Sequence, residues 1–289
     1  MRTKTGVAVQ IARSSDASKR RRIPLSVMVS IAWIVVVLLV ALFADQIAPF
    51  HYTSLNLPDR LIGPFDPQHW LGTDELGRDV LSRLVYSVRI SVVVALAATV
   101  ISAILGTTLG FMAAHFRGPV EHVILVLIDF QAAMPFLVLS LSVLAFFGTG
   151  LPLFIALMGL YGWERFARVA RGLALSAAAQ GYAGAVRQLG ASPRRIYLRH
   201  ILPNVLSTLI VLMTLTFPEI ILMESSLSFL GLGVQPPMTS LGNMVGYGRE
   251  YMTRAPWIML APAALIVLTT LSISLLGDWL RDGLDKGLR

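Results

Sequence analysis

The sequence predicts an all-α membrane protein with six transmembrane helices. Three observations carry that prediction. Apolar residues make up 55% of the 289 positions and charged residues only 14%, far from the balance of a soluble domain. The apolar residues gather in runs long enough to cross a bilayer, where a helix satisfies its own backbone N–H and C=O groups. The formal charge of +8 is concentrated beside those runs, in the N-terminal tail and one central loop, as expected when Lys and Arg are retained on the cytoplasmic side. Nucleic-acid binding is another use of excess positive charge, but positive-inside anchoring accounts for the distribution without a nucleic-acid partner.

Residues 1–22 read as a basic cytoplasmic tail ending in Lys19-Arg20-Arg21-Arg22. Such a tail also opens secretory signal peptides. The apolar run Ile23 to Ala44 is a full crossing rather than a short signal core, and no clean small-x-small cleavage site follows it. It is expected to be an uncleaved first span with its N-terminus inside. The unit 23–90 then adds an external loop and an amphipathic helix. Thr73 or Asp74 is a candidate cap, Asp74–Arg78 and Asp79–Arg83 are i,i+4 ion pairs, and Val80, Leu81, Leu84, Val85 and Val88 share one face. The helix is expected to lie along the membrane surface.

The unit 91–289 holds the remaining spans. Span two is expected over Ser91 to Ala114, span three over Val123 to Phe147 and span four from Leu153 to Trp163. That uncharged stretch is too short to cross alone, so the helix should continue into Glu164–Arg171. Span five is expected over Val205 to Met223 and span six over Trp257 to Gly277, with a Gly/Pro-rich external segment, Ser228 to Tyr251, between them. Six spans place both termini and the central loop inside.

That central loop, 164–204, carries Arg165, Arg168, Arg171, Arg187, Arg194, Arg195 and Arg199. Ala-rich sequence from Leu173 to Leu189 favours helix, and Gly190 offers a C′ residue to end it. Ser192 followed by Pro193 is an N-cap and a first helical residue, so a second short helix should begin there and end at Pro203. A helix, a glycine turn and a basic helix also outline a DNA-reading motif. Placement between spans, and the apolar Ile196, Leu198 and Ile201, suit a protein groove better.

The run Ala185-Val186-Arg187-Gln188-Leu189-Gly190-Ala191-Ser192, continuing to Ile201-Leu202-Pro203-Asn204, resembles the cytoplasmic coupling loop of ABC-importer permeases. Three positions depart: Gly184 stands where the family has Glu, Val186 at its second Ala and His200 at the Ile of its ending. The strings LGTDELGRDVLSRLVYSVRIS from Leu71 and SFLGLGVQPPMTSLGNM from Ser228 are similar to segments of the second permease subunit of dipeptide, oligopeptide and nickel importers. The resemblance implies an importer-permease fold in the bacterial cytoplasmic (inner) membrane. The implied partners are a homologous permease, two cytoplasmic ATPase subunits holding ATP and Mg, and an extracytoplasmic solute-binding protein. It assigns ATPase coupling to Gly184, Ala185, Gly190, Ala191, Ser192, Pro193, Arg194, Arg195, Tyr197, Leu198 and Pro203.

No G-x-x-x-x-G-K-[ST] occurs, so the chain is not expected to hydrolyse ATP or to bind a cofactor of its own. H-E-x-x-H and G-x-S-x-G are absent, the five His are scattered and there is no Cys; neither catalysis nor a metal site is expected. The ionisable groups at membrane depth are Asp129, Glu219 and Glu224. A charge at a helix centre costs about 2.5–3.5 kcal/mol on insertion scales, so these should face protein or water. They are candidates for a translocation pathway, for a proton relay in a stand-alone secondary transporter, or for capping and pairing within the fold.

Overall fold

The computed structural model describes residues 23–179 and 192–287, and every regular element among them is helical. Helix α1 spans Leu25–Leu42 and the short α2 Ala44–Ile47. After an irregular segment come α3 (Val80–Phe116), α4 (Pro119–Ala133), α5 (Phe136–Phe147), α6 (Leu151–Gly159) and α7 (Trp163–Ala179). The second half holds α8 (Pro193–Phe229), α9 (Leu241–Gly248) and α10 (Trp257–Gly287). Four of these, α1, α3, α8 and α10, are long and apolar enough to cross a membrane, and α4 with α5 makes a fifth if the bent pair is one span.

The surface is what a bilayer requires. Leu25, Val29, Val93, Ile104, Val138 and Phe146 are more than half exposed or close to it, because lipid takes the place of a second apolar layer. Inside, Val88, Val92, Ala95, Phe154, Met158 and Ile220 form a core between α3, α6 and α8. A second cluster joins Phe166, Ala170 and Ala174 of α7 to Ile196, Ile201 and Val205 of α8.

The surface-lying amphipathic helix is not formed. Val80 to Phe116 is one helix, about 55 Å long at 1.5 Å per residue, against a hydrocarbon core of about 30 Å. It is longer than a crossing needs, and Val80, Leu84, Val85 and Val88 in its first turns are buried in protein. Nor do Thr73 or Asp74 cap it. Asp79 does, accepting from the Ser82 N–H at 2.7 Å. Asp74 stays in the preceding turn and takes both Arg78, at 2.7 Å, and Arg83. Arg83 therefore pairs with Asp74 and not Asp79, whose second oxygen lies 3.0 Å from His69 Nδ1. The reason is topological: the 61–79 segment folds back on itself, with Thr73 bridging to Asp79, and that proximity outweighs helical spacing.

Two expected spans are broken. The residue before proline avoids the α region, and Met134 sits at φ −84°, ψ 131°. The chain bends there by 92° between α4 and α5. Span four is not continuous either: α6 stops at Gly159, Gly162 has φ +80°, and α7 starts afresh at Trp163. Span five is longer than expected. The helix starting at Pro193 does not end at Pro203 but passes through a π turn over Tyr197–Ile201 into the crossing helix. Pro203 lacks the N–H and crowds the preceding carbonyls; the widened turn, with Leu202 N–H bonded to Tyr197 O, absorbs both defects. The Gly/Pro-rich segment after α8, expected outside, also contains a helix, α9, that composition did not announce.

Helices α3 and α7 pack through glycine. A Cβ at Gly106 would lie 2.6 Å from the Cβ of Phe166, and one at Gly110 3.0 Å from that of Ala170, each nearer still to an α7 carbonyl. Small residues four apart let two backbones approach closely. Ser102, one turn earlier, donates to Gly159 O at 2.8 Å and Tyr161 O at 2.5 Å. Its single hydroxyl proton is shared between two carbonyls released by the α6–α7 break.

Candidate functional site

The sequence-predicted coupling residues divide at the described boundary. Gly184, Ala185, Gly190 and Ala191 lie outside the described residues, as does the expected helix end at Leu189. Ser192 caps α8, its Oγ accepting from Arg195 N–H at 3.4 Å, and Pro193 is the first helical residue. Ile196 and Ile201 turn inward on α7. Tyr197 packs on Phe111 and His115 at the end of α3, centroids 5.3 Å and 5.5 Å apart. The other face is bare: Pro193, Arg194, Arg195, Leu198 and Arg199 are exposed, as is Pro203 a turn further on. The result is a cationic helix start with an apolar spot at Leu198, held rigidly on α3 and α7 and continuous with a crossing helix.

The three acidic candidates are not brought together. Asp129 on α4 accepts from Arg168 at 3.0 Å, and Glu219 on α8 accepts from Arg165 at 2.5 Å. Glu121 accepts from Arg171 at 2.8 Å. Arg165, Arg168 and Arg171 recur every third residue, so one flank of α7 carries a ladder of cations, each tied to an acid of another helix. The side chains of Asp129 and Arg168 are 74% and 52% exposed, those of Glu219 and Arg165 39% and 47%. The sequence points to Asp129 and Glu219 without their partners and does not single out Glu121; the i,i+3 arginines of a helix beside apolar spans are the signal.

Glu224 is different. It is fully buried and accepts from Ser228 Oγ at 2.8 Å, Ser91 Oγ at 3.2 Å and Ser225 Oγ at 3.4 Å. Ser91 in turn accepts from Leu241 N–H at 3.1 Å, and Ser240, the cap of α9, donates to Ser228 at 3.2 Å. This network ties α9 to α3 and α8. Ser91 and Ser240 had no sequence signal, since the contact spans some 150 residues of chain.

Tyr52, Glu75, Arg78, Arg83, Met238 and Tyr247 line a cleft of about 380 Å³ between the 52–83 segment and the approach to α9. Asp45 lies in the first turn of α2. Hydrogen bonds from Arg89 and then Tyr86 hold its carboxyl below the usual range. Among the described residues no group of three or more His, Asp or Glu is arranged to hold a metal ion.

A family model described as the inner membrane component of binding-protein-dependent transport systems matches residues 106–289. The chain belongs to that family. Relatives extend the match toward the N-terminus. The oligopeptide transport system permease protein OppC of Bacillus subtilis (strain 168) is 35% identical over 274 residues, 95% of this chain and 90% of its own. The glutathione transport system permease protein GsiD of Pectobacterium atrosepticum is 35% identical over 257 residues, 89% and 85% of the two chains. The dipeptide transport system permease protein DppC of Alkalihalophilus pseudofirmus is 35% identical over 252, covering 87% and 83%. Among solved structures, an inward-facing form of the MetNI methionine ABC transporter superposes with TM-score 0.58 at 20% identity, over 70% of this chain and 96% of that one. An amino acid ABC transporter crystallised with histidines gives 0.52 at 17%, over 70% and 94%. The fold is that of an ABC-importer permease. For a transport-system inner membrane component, the breaks at Met134–Pro135 and Gly162 fall inside the family-matched region, as do the α7 ion pairs, the cationic start of α8 and Glu224.

Proposed function

We propose that this chain is one of two homologous permeases of an ATP-driven importer that carries dipeptides, oligopeptides or a similar small solute by alternating access. The observation that carries the reading is the match, at about one residue in three and over nearly the whole length, to permeases named for oligopeptide, dipeptide and glutathione transport. In this reading α6 and α7 together form the fourth of six spans, both termini are cytoplasmic, and the 164–204 loop faces the ATPases. ATP and Mg belong to those two partner subunits, and chemistry at the phosphates is theirs.

The geometry supports a mechanical role for the cationic face. Closure of the ATPases would press on Arg194, Arg195 and Leu198, and α8 would carry the displacement toward Glu219 through its π turn over Tyr197–Ile201 and past Pro218. Gly184, Ala185, Gly190 and Ala191 would complete the docking surface. Gly184 supplies no carboxylate where the family has one, which places more of the docking on the Pro193–Ile201 stretch. At the outer end, the cleft over Glu75 and Arg78 is where the solute-binding protein would seat. Asp129 and Glu219 would line the pathway, while Glu224 would fix α9 at its mouth.

The test is a mild-detergent pull-down of this chain from its native membrane. Expected is co-recovery of a sister permease and a P-loop ATPase, lost when Arg194, Arg195 and Leu198 are replaced together by Asp. Recovery of the chain alone, under conditions that keep a known importer intact, would overturn the reading in favour of a stand-alone proton-coupled carrier. Uptake would then collapse with a protonophore.

A further inference from the structure

The ion pair between Arg165 and Glu219 is placed oddly for a structural contact. Ser102 bonds to the carbonyls of Gly159 and Tyr161, which fixes the α6–α7 break at its level. Along α3, Ser102 is about 20 Å from each flanking charge, Arg89 and Arg117, at 1.5 Å per residue. The break therefore lies near the middle of the bilayer. Arg165 is one turn beyond it, and Glu219 lies just past Thr216, whose methyl faces Gly162. The α4–α5 break reaches the same place, since Phe136 and Tyr161 pack edge to face at 4.9 Å. Two discontinuous spans thus meet around the Arg165 guanidinium and the Glu219 carboxylate, both of which stay about half exposed, with the less exposed Glu164 Oε1 3.9 Å from Arg165 Nε on the other side. Charges at such depth are not left to hydrocarbon; they meet protein or a water-filled cavity.

We propose that Arg165 and Glu219 form a transit site for a zwitterionic solute, the pair parting so that Arg165 takes the solute's carboxylate and Glu219 its ammonium group. The inference rests on the pathway reading of this face. Its chemistry follows from the two side chains. Joined by one direct hydrogen bond, they satisfy each other when the site is empty, and a solute carrying both charges replaces each partner in kind. A charge is never left bare at the membrane centre. A solute with blocked termini offers neither replacement. Arg168–Asp129 and Arg171–Glu121, further along the same flank, continue the polar wall toward the cytoplasmic end.

The chain has no cysteine, so one introduced thiol reports on this surface. Leu222 is 49% exposed and lies one turn from Glu219 on the same face of α8. In the assembled complex in nanodiscs, Leu222→Cys should react with a charged, water-soluble maleimide, whereas the buried Ala98→Cys should not. Alanyl-alanine at ten times its apparent Kd should slow that labelling about tenfold, by occupancy alone. N-acetyl-alanyl-alanine amide should leave it unchanged. Arg165→Gln should abolish the protection and Arg165→Lys, which keeps the charge, should retain it. Labelling no faster than Ala98→Cys would overturn the pathway reading and the transit site with it. Brisk labelling that neither peptide slows, or that both slow alike, would leave the pathway standing and overturn the transit site.

Discussion

Adding one methyl group to Gly106 should weaken this protein, although alanine is ordinarily the better helix former by about 1 kcal/mol. The new Cβ would lie 2.6 Å from the Cβ of Phe166 and closer to the Trp163 carbonyl. Carbon atoms rest comfortably at about 3.5–4.0 Å, so α3 and α7 must part by about 1 Å, and a gap of that size forfeits a quarter to a half of each dispersion contact it opens. Overpacking of this kind costs about 1–3 kcal/mol, which exceeds the gain in helix propensity. Gly172→Ala is the matched control, because nothing lies within 4 Å of a Cβ there; it should gain roughly 0.4–1 kcal/mol. Thermal unfolding of the purified complex, followed by helical circular dichroism, should place Gly106→Ala below and Gly172→Ala at or above the parent. Because α7 carries Arg165, Arg168 and Arg171, Gly106→Ala should also slow uptake. Equal or higher stability for Gly106→Ala would refute the claim that the α3–α7 approach sets the position of α7.

Three further outcomes are expected. Glu224→Ala strands the buried hydroxyls of Ser91 and Ser228 at about 1–3 kcal/mol for each left unsatisfied. Proteolysis should then cut the 230–251 segment faster in the mutant, and an unchanged cleavage rate would contradict the tether. Asp74→Asn removes the charge partner of Arg83, whose side chain is 5% exposed, and should destabilise by about 3–5 kcal/mol; a melting midpoint equal to the parent's would count against it. Gly190→Val should leave ATP hydrolysis running while uptake fails, measured side by side in proteoliposomes. Normal uptake would remove Gly190 from the coupling surface.

The sequence by itself determined the class and the position of most crossings, because solvation is a local property of composition: an apolar run of sufficient length has nowhere else to go. It also placed the start of α8, since Ser192 and Pro193 act on the backbone next to them. The sequence reads the spans through Pro135 and Gly162 as continuous; that both break, and that the breaks meet, is decided by the tertiary structure. The i,i+4 pair Asp74–Arg78 is legible in the sequence; only the tertiary structure decided the other pairings of acid and cation. Asp74 takes Arg83 in place of the helical neighbour Asp79 because a fold-back brings it nearer. Asp129 and Glu219 find Arg168 and Arg165 across separate helices. Glu224, which by spacing alone resembles Glu219, is instead enclosed by hydroxyls from α3, α8 and the approach to α9. Such pairings depend on distances between residues far apart in the chain, and no local pattern encodes them.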